Sequence, residues 1–257
     1  GWRGSSTIRQ PQGPRQARPE ALVAMAMETD TALWMHFPGQ TGAPAAYEET
    51  LLLPDEQPAR DRANAIAREH AAGIIASDEW DKIAARIVAA LEKEGYPEDR
   101  RFYLEVDNEI WNNANPFWRK THWFDHLGQG LGMGGRAAYG YATARMALAF
   151  ERALKDAGRR QAWVPVLAGQ HANPTRTRSA LEGYRAFWVA QGVDPAPWMK
   201  MAGVSTASYF SGALQQRSGF ITPREGETHG QAFLREVRAD GPGLAKRATD
   251  FIIGGPN

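Results

Sequence analysis

The chain has 257 residues, enough for one large domain or two small ones with a real hydrophobic core. Its 30 Lys and Arg residues balance 29 Asp and Glu residues, which argues against a general nucleic-acid binder and against a polybasic membrane protein. The absence of cysteine excludes disulfides, thiolate chemistry and cysteine-based zinc sites. No apolar run reaches the roughly 18 residues that a membrane span needs, and no signal peptide is recognisable.

Both ends of the sequence have the composition of mid-protein segments. Residues 1–17 are rich in Arg, Pro, Gly and Gln and predict an irregular segment without an initiator Met. The other end, FIIGGPN, stops just after an apolar run. We therefore expect a fragment, in which residues 1–257 form a single partial catalytic domain.

Helices and strands alternate along the chain. In order, the pattern predicts a helix (18–32), a strand (33–38), a helix (77–95), a strand (101–107), a helix (135–158), a strand (162–169), a helix (179–192), a strand (201–210) and a helix (229–253). The helix over 77–95 has Ser77 as a candidate N-cap and Gly95 as its end. Between the first strand and this helix we expect a long loop with helical pieces, including a charged, exposed stretch over 55–70.

This alternation predicts an α/β protein with βαβ units and a parallel sheet. A nucleotide-binding fold would carry a Gly-rich loop directly between a strand and a helix. The only glycine-rich run, GQGLGMGG over 128–135, lies in a predicted loop after WFDHL. The pattern therefore favours a (β/α)8 TIM barrel over a doubly wound nucleotide-binding sheet.

Polar and aromatic residues end each predicted strand. These ends are His36-Phe37-Pro38, then 107–111 (DNEIW), 169–173 (GQHAN) and 208–210 (SYF). Acidic and amide groups at a strand end are costly unless they are paired or used. Because a barrel places its chemistry at the C-terminal ends of its strands, these four ends predict one shared site.

The segment FYLEVDNEIWN resembles the strand-four motif of the (β/α)8 glycoside hydrolases of clan A. It is more closely similar to a bacterial group with a Tyr-x-Glu-x-x-Asn-Glu-x-Trp-Asn signature. Residues 19–40, 164–174 and 204–212 resemble that group's helix two with strand three, strand five and strand six. The resemblance covers roughly residues 18–212 and implies strands three to six of an incomplete barrel.

The resemblance implies a retaining glycosidase that cleaves O-glycosidic bonds of a poly- or oligosaccharide, with Glu109 as general acid/base. Such an enzyme also needs a nucleophilic carboxylate about 5–5.5 Å away. In that group the nucleophile belongs to strand seven. Glu225 and Glu227, the nearby carboxylates, lie in a predicted loop instead. We expect the nucleophile to be absent from this chain.

The resemblance also implies the substrate-binding residues. Asn108 would hydrogen-bond the sugar 2-hydroxyl, with a turn or helix cap as its structural alternative. His171, Tyr209 and His36 would hold the sugar or the nucleophile, and packing is the alternative for each. Trp111 in the segment after Glu109, with Trp118 and Trp123, could stack on sugar rings. Glu105 is expected to be a buried, hydrogen-bonded structural carboxylate.

Other functions remain open on the same residues. The main rival is a non-catalytic carbohydrate-binding protein on a degenerate glycosidase barrel, because a fold does not fix a function. A barrel lyase or aldolase would want a Lys at a strand end, and the four ends have none. We expect no cofactor and no metal, although His122 and His126 could form a two-histidine face on a helix. Polysaccharide-type chemistry favours a secreted or periplasmic location.

Overall fold

The computed structural model describes residues 18–50, 53, 56–108, 110, 118–169, 174–206, 224–226 and 235. Helices and strands alternate in this part of the chain. In chain order they are α1 (Pro19–Glu28), β1 (Leu33–Phe37), α2 (Ala45–Thr50), α3 (Gln57–Glu69), α4 (Ala71–Ala76), α5 (Glu79–Lys93), β2 (Phe102–Val106), α6 (Trp118–Gly130), α7 (Gly135–Asp156), β3 (Trp163–Gly169), α8 (Pro174–Ala190), α9 (Ala196–Met201) and β4 (Gly203–Thr206).

The four strands form one parallel sheet in the order β1-β2-β3-β4. Each strand therefore lies beside the strand that precedes it in the chain. A doubly wound sheet reverses direction at a switch point, whereas a sheet that grows in one direction does not. Because right-handed crossovers then place the connecting helices on the same side, the order describes a singly wound α/β sheet. The predicted α/β class and parallel sheet are confirmed.

One face of the sheet is covered by helices. Phe37 of β1 stacks on Trp80 of α5 with ring centroids 5.4 Å apart, and Phe102 of β2 stacks on Phe150 of α7 at the same separation. Phe150 also meets Trp163 of β3 at 4.7 Å. Phe102 and Trp163 are in register, so these contacts share one face of the sheet. We call this the covered face.

The helix termini follow the predicted local chemistry in part. The N-cap of α5 is Asp78 rather than the predicted Ser77, but Ser77 Oγ accepts the backbone N–H of Glu79 at 3.2 Å and satisfies one of the free donors at the start of the helix. Gly95 and Gly158 follow α5 and α7 with φ of +68° and +66°. Glycine adopts this left-handed conformation without steric cost, so both end their helices as predicted.

One segment predicted as loop is helical, since WFDHLGQG is the body of α6. The helical pieces expected between β1 and α5 are α2, α3 and α4, and α3 covers most of the charged stretch over 55–70. The start of α3 has no side-chain cap that would identify it locally. The helix α6 instead buries Trp123, Phe124 and Leu127 on one side, so tertiary packing stabilises it. In addition, α8 begins at Pro174, five residues before the predicted start.

Helices α7 and α8 approach each other at backbone distance. A Cβ on Gly140 would overlap the carbonyl oxygen of Ala180, and a Cβ on Gly183 would overlap that of Ala137. The two glycines thus allow a reciprocal contact in which each backbone fills the space of the other's missing side chain. This contact fixes the spacing of the two helices that flank β3 in the chain.

Within the described ranges, no helix combines the length and apolar character that crossing a membrane would require. The end of the predicted last strand (207–210) and nearly all of the predicted helix over 229–253 lie outside those ranges.

Candidate active site at the carboxyl edge of the sheet

The carboxyl ends of the four parallel strands meet at one edge of the sheet. Asp107 and Asn108 follow directly after β2 at this edge. Asn108 is half-buried. Glu109, the predicted acid/base, lies outside the described residues. Its sequence neighbours Asn108 and Ile110 are described, together with the groups that contact them.

Asp107 is fixed in a left-handed turn. Its backbone N–H donates to the carbonyl of Phe37 at 2.9 Å, which extends the β1–β2 ladder by one bond. Its φ is +53°, in a region that non-glycine residues seldom adopt and that Asp and Asn tolerate best. The side chain is fully buried beside Gly39, where a Cβ would collide with the carboxylate. The turn therefore depends on the close approach that Gly39 allows.

Ile110 is held by two side chains from two helices. Thr121 of α6 donates its hydroxyl to the Ile110 carbonyl at 2.7 Å. Arg136, in the first turn of α7, donates from Nη1 to the same oxygen. A carbonyl oxygen has two lone pairs, so these donors use its full accepting capacity. Ile110 itself is buried, and its backbone is tied to both helices that follow β2.

The charge of Arg136 sits in a crowded, partly desolvated position. Burial, followed by the nearby charge of Arg176, lowers the pKa of Arg136 from its ordinary value, and Asp125 opposes this shift. Arginine nevertheless remains protonated in proteins, so the bond to Ile110 is a charge-assisted one. Such bonds are about twice as strong as neutral ones.

A polar and aromatic cluster occupies the face of the sheet opposite the covered face. Trp34 and His36 of β1 point to this side, as do Tyr103 and Glu105, their register partners on β2. The Trp34 indole N–H donates to Glu105 Oε2 at 2.9 Å, and His36 Nε2 lies 3.7 Å from the same oxygen. Trp34 stacks on Tyr103 with centroids 5.4 Å apart. We call these four residues the open-face cluster.

The open-face cluster combines a buried carboxylate with exposed rings. Glu105 is only 5% exposed, whereas Trp34 is 44% exposed. The prediction that Glu105 is buried and hydrogen-bonded is confirmed. An indole held in place by a hydrogen bond and a ring stack offers a flat apolar surface at little entropic cost.

Tyr139 of α7 ends the pairing between β2 and β3. The paired register stops at Glu105 and Val166, and the N–H of Ala168 donates to the Tyr139 hydroxyl at 2.8 Å. Burial, followed by the charge of Glu105, raises the pKa of Tyr139 well above its ordinary value. The neutral phenol therefore takes the place of a strand carbonyl at the carboxyl edge.

The structure separates the predicted site residues into two groups. His36 lies on the open face beside Glu105, and Asn108 lies at the carboxyl edge after β2. Glu109, Trp111, His171 and Tyr209 lie outside the described residues, as does Glu227, and their predicted roles stay predictions.

Trp123 is a correction to the predicted stacking residues. It was expected in a loop where it could meet a sugar, but it is 2% exposed on α6 and its ring contacts Tyr47 at 4.6 Å. Helix formation turns it toward the hydrophobic core. His122 and His126 do share this helix. Across the described ranges, however, no group of three or more His, Asp or Glu side chains could hold a metal ion.

Sequence reasoning missed Thr121, Arg136 and Tyr139. Thr121 and Arg136 lie 11 and 26 residues after Ile110, whose carbonyl they contact, and Tyr139 lies 29 residues before Ala168. Only the packing of α6 and α7 brings these groups close. A weak indication was available for Arg136, since an arginine at the start of a helix is unfavourable for the helix dipole and needs a local reason.

No family model, curated protein or solved structure matches the chain.

Proposed function

We propose that the chain is part of a retaining glycoside hydrolase built on a (β/α)8 barrel, with Glu109 as general acid/base and Asn108 as a sugar ligand. The observation that supports the proposal is the sequential all-parallel sheet: Asp107 and Asn108 follow β2 at its carboxyl end, and Glu109 is the next residue in the sequence. In barrel enzymes the strand ends at this edge supply the catalytic groups.

The two faces of the sheet support a barrel over an open sheet. Helices α5 and α7 stack on the covered face, and the opposite face carries the open-face cluster. In a closed barrel the opposite face becomes the interior, where side chains of further strands complete its layers. Val166 of β3, the register partner of Glu105, lies on that side as well, and so does Ala168, two residues further along the strand.

The chemistry assigns one carboxyl to proton transfer and one to bond formation. Glu109 would protonate the leaving oxygen, and a nucleophile about 5–5.5 Å away would form the glycosyl-enzyme intermediate before water releases the sugar. Among the described residues, Glu105 and Asp107 are both buried, Glu105 also accepts the Trp34 indole N–H, and Glu225 lies in an exposed turn. The proposal therefore places the nucleophile on another strand of the barrel.

Replacement of Glu109 by Gln tests the proposal. In a protein that contains this chain together with the strand carrying the nucleophile, we expect release of the phenol from a panel of aryl glycosides. Glu109→Gln should lose at least about 100-fold in kcat, because proton transfer of this kind contributes about 10²–10⁴-fold. Glu92→Gln, an exposed position on α5, is the matched control and should keep full turnover. NMR of the first-formed sugar should report a retained anomeric configuration.

A carbohydrate-binding protein is the second candidate function. It is favoured by the open-face cluster, whose exposed Trp34 offers a stacking surface that needs no catalytic carboxylate. Calorimetric titration with oligosaccharides distinguishes the two. A binder would show affinity without turnover, and Glu109→Gln would leave that affinity unchanged.

A further inference from the structure

Two anchored positions flank the dipeptide that carries the proposed chemistry. Asp107 is fixed by its N–H bond to Phe37, its buried side chain and its left-handed backbone. Ile110 is fixed by the donors from Thr121 and Arg136. Only Asn108 and Glu109 separate the two anchors in the sequence.

Backbone ordering costs conformational entropy, so a segment whose flanking residues are already held has less of that entropy left to lose when a ligand binds. Catalytic groups need such placement within about 0.5 Å of the productive geometry.

We infer that Arg136 is a positioning residue for Asn108, the proposed sugar ligand, acting through the carbonyl of Ile110; this role rests on the proposed function. Arg136 comes from α7 and reaches back 26 residues to the segment that leaves β2. Its donor is charged and the acceptor belongs to a buried residue, so the bond is the stronger of the two that hold the carbonyl. Thr121 holds the same oxygen from α6 and sets its direction.

The charge environment of Arg136 supports this role over simple helix packing. A guanidinium near the positive end of α7 and close to Arg176 lies in an unfavourable field, which Asp125 offsets. A side chain kept there only to fill space would be better without its charge. The bond to Ile110 gives the charge a specific partner.

Amide hydrogen exchange of the full chain tests the inference without any substrate. We expect Arg136→Met to accelerate exchange in a peptide covering residues 105–113 by about tenfold or more, the ratio that corresponds to about 1.4 kcal/mol. Arg136→Lys keeps a charged donor and should restore part of the protection. Thr121→Val, which removes only the hydroxyl, should accelerate the same peptide to a smaller extent.

Arg152→Met is the matched control, because Arg152 is an exposed arginine on the same helix. It should leave the 105–113 peptide unchanged. Unchanged exchange in Arg136→Met would overturn the inference. A uniform acceleration across α5 and β3 would also overturn it, because it would mean that Arg136 contributes only to global stability.

Turnover supplies the second readout. On a glycoside that Glu109→Gln fails to cleave, Arg136→Met should lower kcat about tenfold or more with little change in KM, and Arg136→Lys should recover part of the loss. Normal kcat with accelerated exchange would overturn the positioning role. If a protein that contains this chain together with the strand carrying the nucleophile cleaves no glycoside, the proposed function fails, while the exchange experiment still decides whether Arg136 orders this segment.

Discussion

The two faces of the sheet carry different kinds of side chain, although the same strands supply both. On the covered face, Leu33, Met35 and Phe37 of β1 are buried against the helix layer. Between them, Trp34 and His36 point the other way and remain accessible beside a buried carboxylate. The alternation of a five-residue strand thus divides stabilising side chains from polar and aromatic ones. This contrast teaches that one five-residue strand can serve a packed layer and an accessible surface at the same time.

Truncation of one aromatic side chain on each face should give the largest difference. Phe102→Ala removes a fully buried ring that stacks on Phe150, and we expect a loss of about 3–5 kcal/mol in the free energy of unfolding. Trp34→Ala on the open face should cost only about 1–2 kcal/mol, since its indole is half-exposed and donates one hydrogen bond. Urea unfolding of both variants measures the difference. Equal losses would mean that the open face is covered in solution.

The helix layer behind the covered face should respond to a single methyl group. Gly140→Ala places a Cβ where the carbonyl of Ala180 lies, so α7 and α8 must move apart, at a cost of about 1–3 kcal/mol. Gly73→Ala is the control, because a Cβ there meets nothing within 4 Å and alanine favours the helix α4. The control should be neutral or stabilising by up to about 1 kcal/mol. Comparable destabilisation of both variants would contradict the close helix contact.

Acid should weaken the helix layer through His126, the smallest of the three effects. Burial, followed by the charge of Arg68, lowers the pKa of His126 from 6.5. The unfolded chain then takes up its proton first as the pH falls, so stability is full above about 6.5 and declines below it. The slope should stay under the about 1.4 kcal/mol per pH unit of one full proton.

Denaturant titrations at pH 7.5, 6.5 and 5.5 measure this slope. His126→Asn should flatten it, because the variant has no imidazole to protonate at that position. His70→Asn, which removes an exposed histidine at the end of α3, controls for the loss of a histidine as such. An unchanged slope in His126→Asn would assign the acid sensitivity to another group.

The helices and strands were largely predictable because their sequences carry local patterns. The four strands were placed within one or two residues where they are described, and α5 and α7 were identified by their periodicity and their terminal glycines. The helix α6 was missed because its sequence is rich in Gly and aromatic residues, and its stability comes from burying Trp123 and Phe124. Local propensity does not contain that contribution.

The candidate site was predictable only in part. Asn108 and His36 could be placed from strand ends and motif, and Glu105 could be identified as a structural carboxylate. The pairing of His36 with Glu105 could not, since it depends on the register of two strands separated by α2 to α5. The hydrogen bond from Arg136 to the Ile110 carbonyl could not be predicted either, because it depends on where α7 starts relative to the end of β2.

The register of β1 against β2 also limits how the length of this protein can vary. The five pairs from Leu33–Phe102 to Phe37–Val106 assign each side chain of β1 to one face. A single inserted or deleted residue within the strand would exchange the faces, sending Met35 into solvent and Trp34 against the helices. Insertions and deletions should therefore be excluded from residues 33–37 and 102–106 in natural or engineered variants, and confined to the connections between elements.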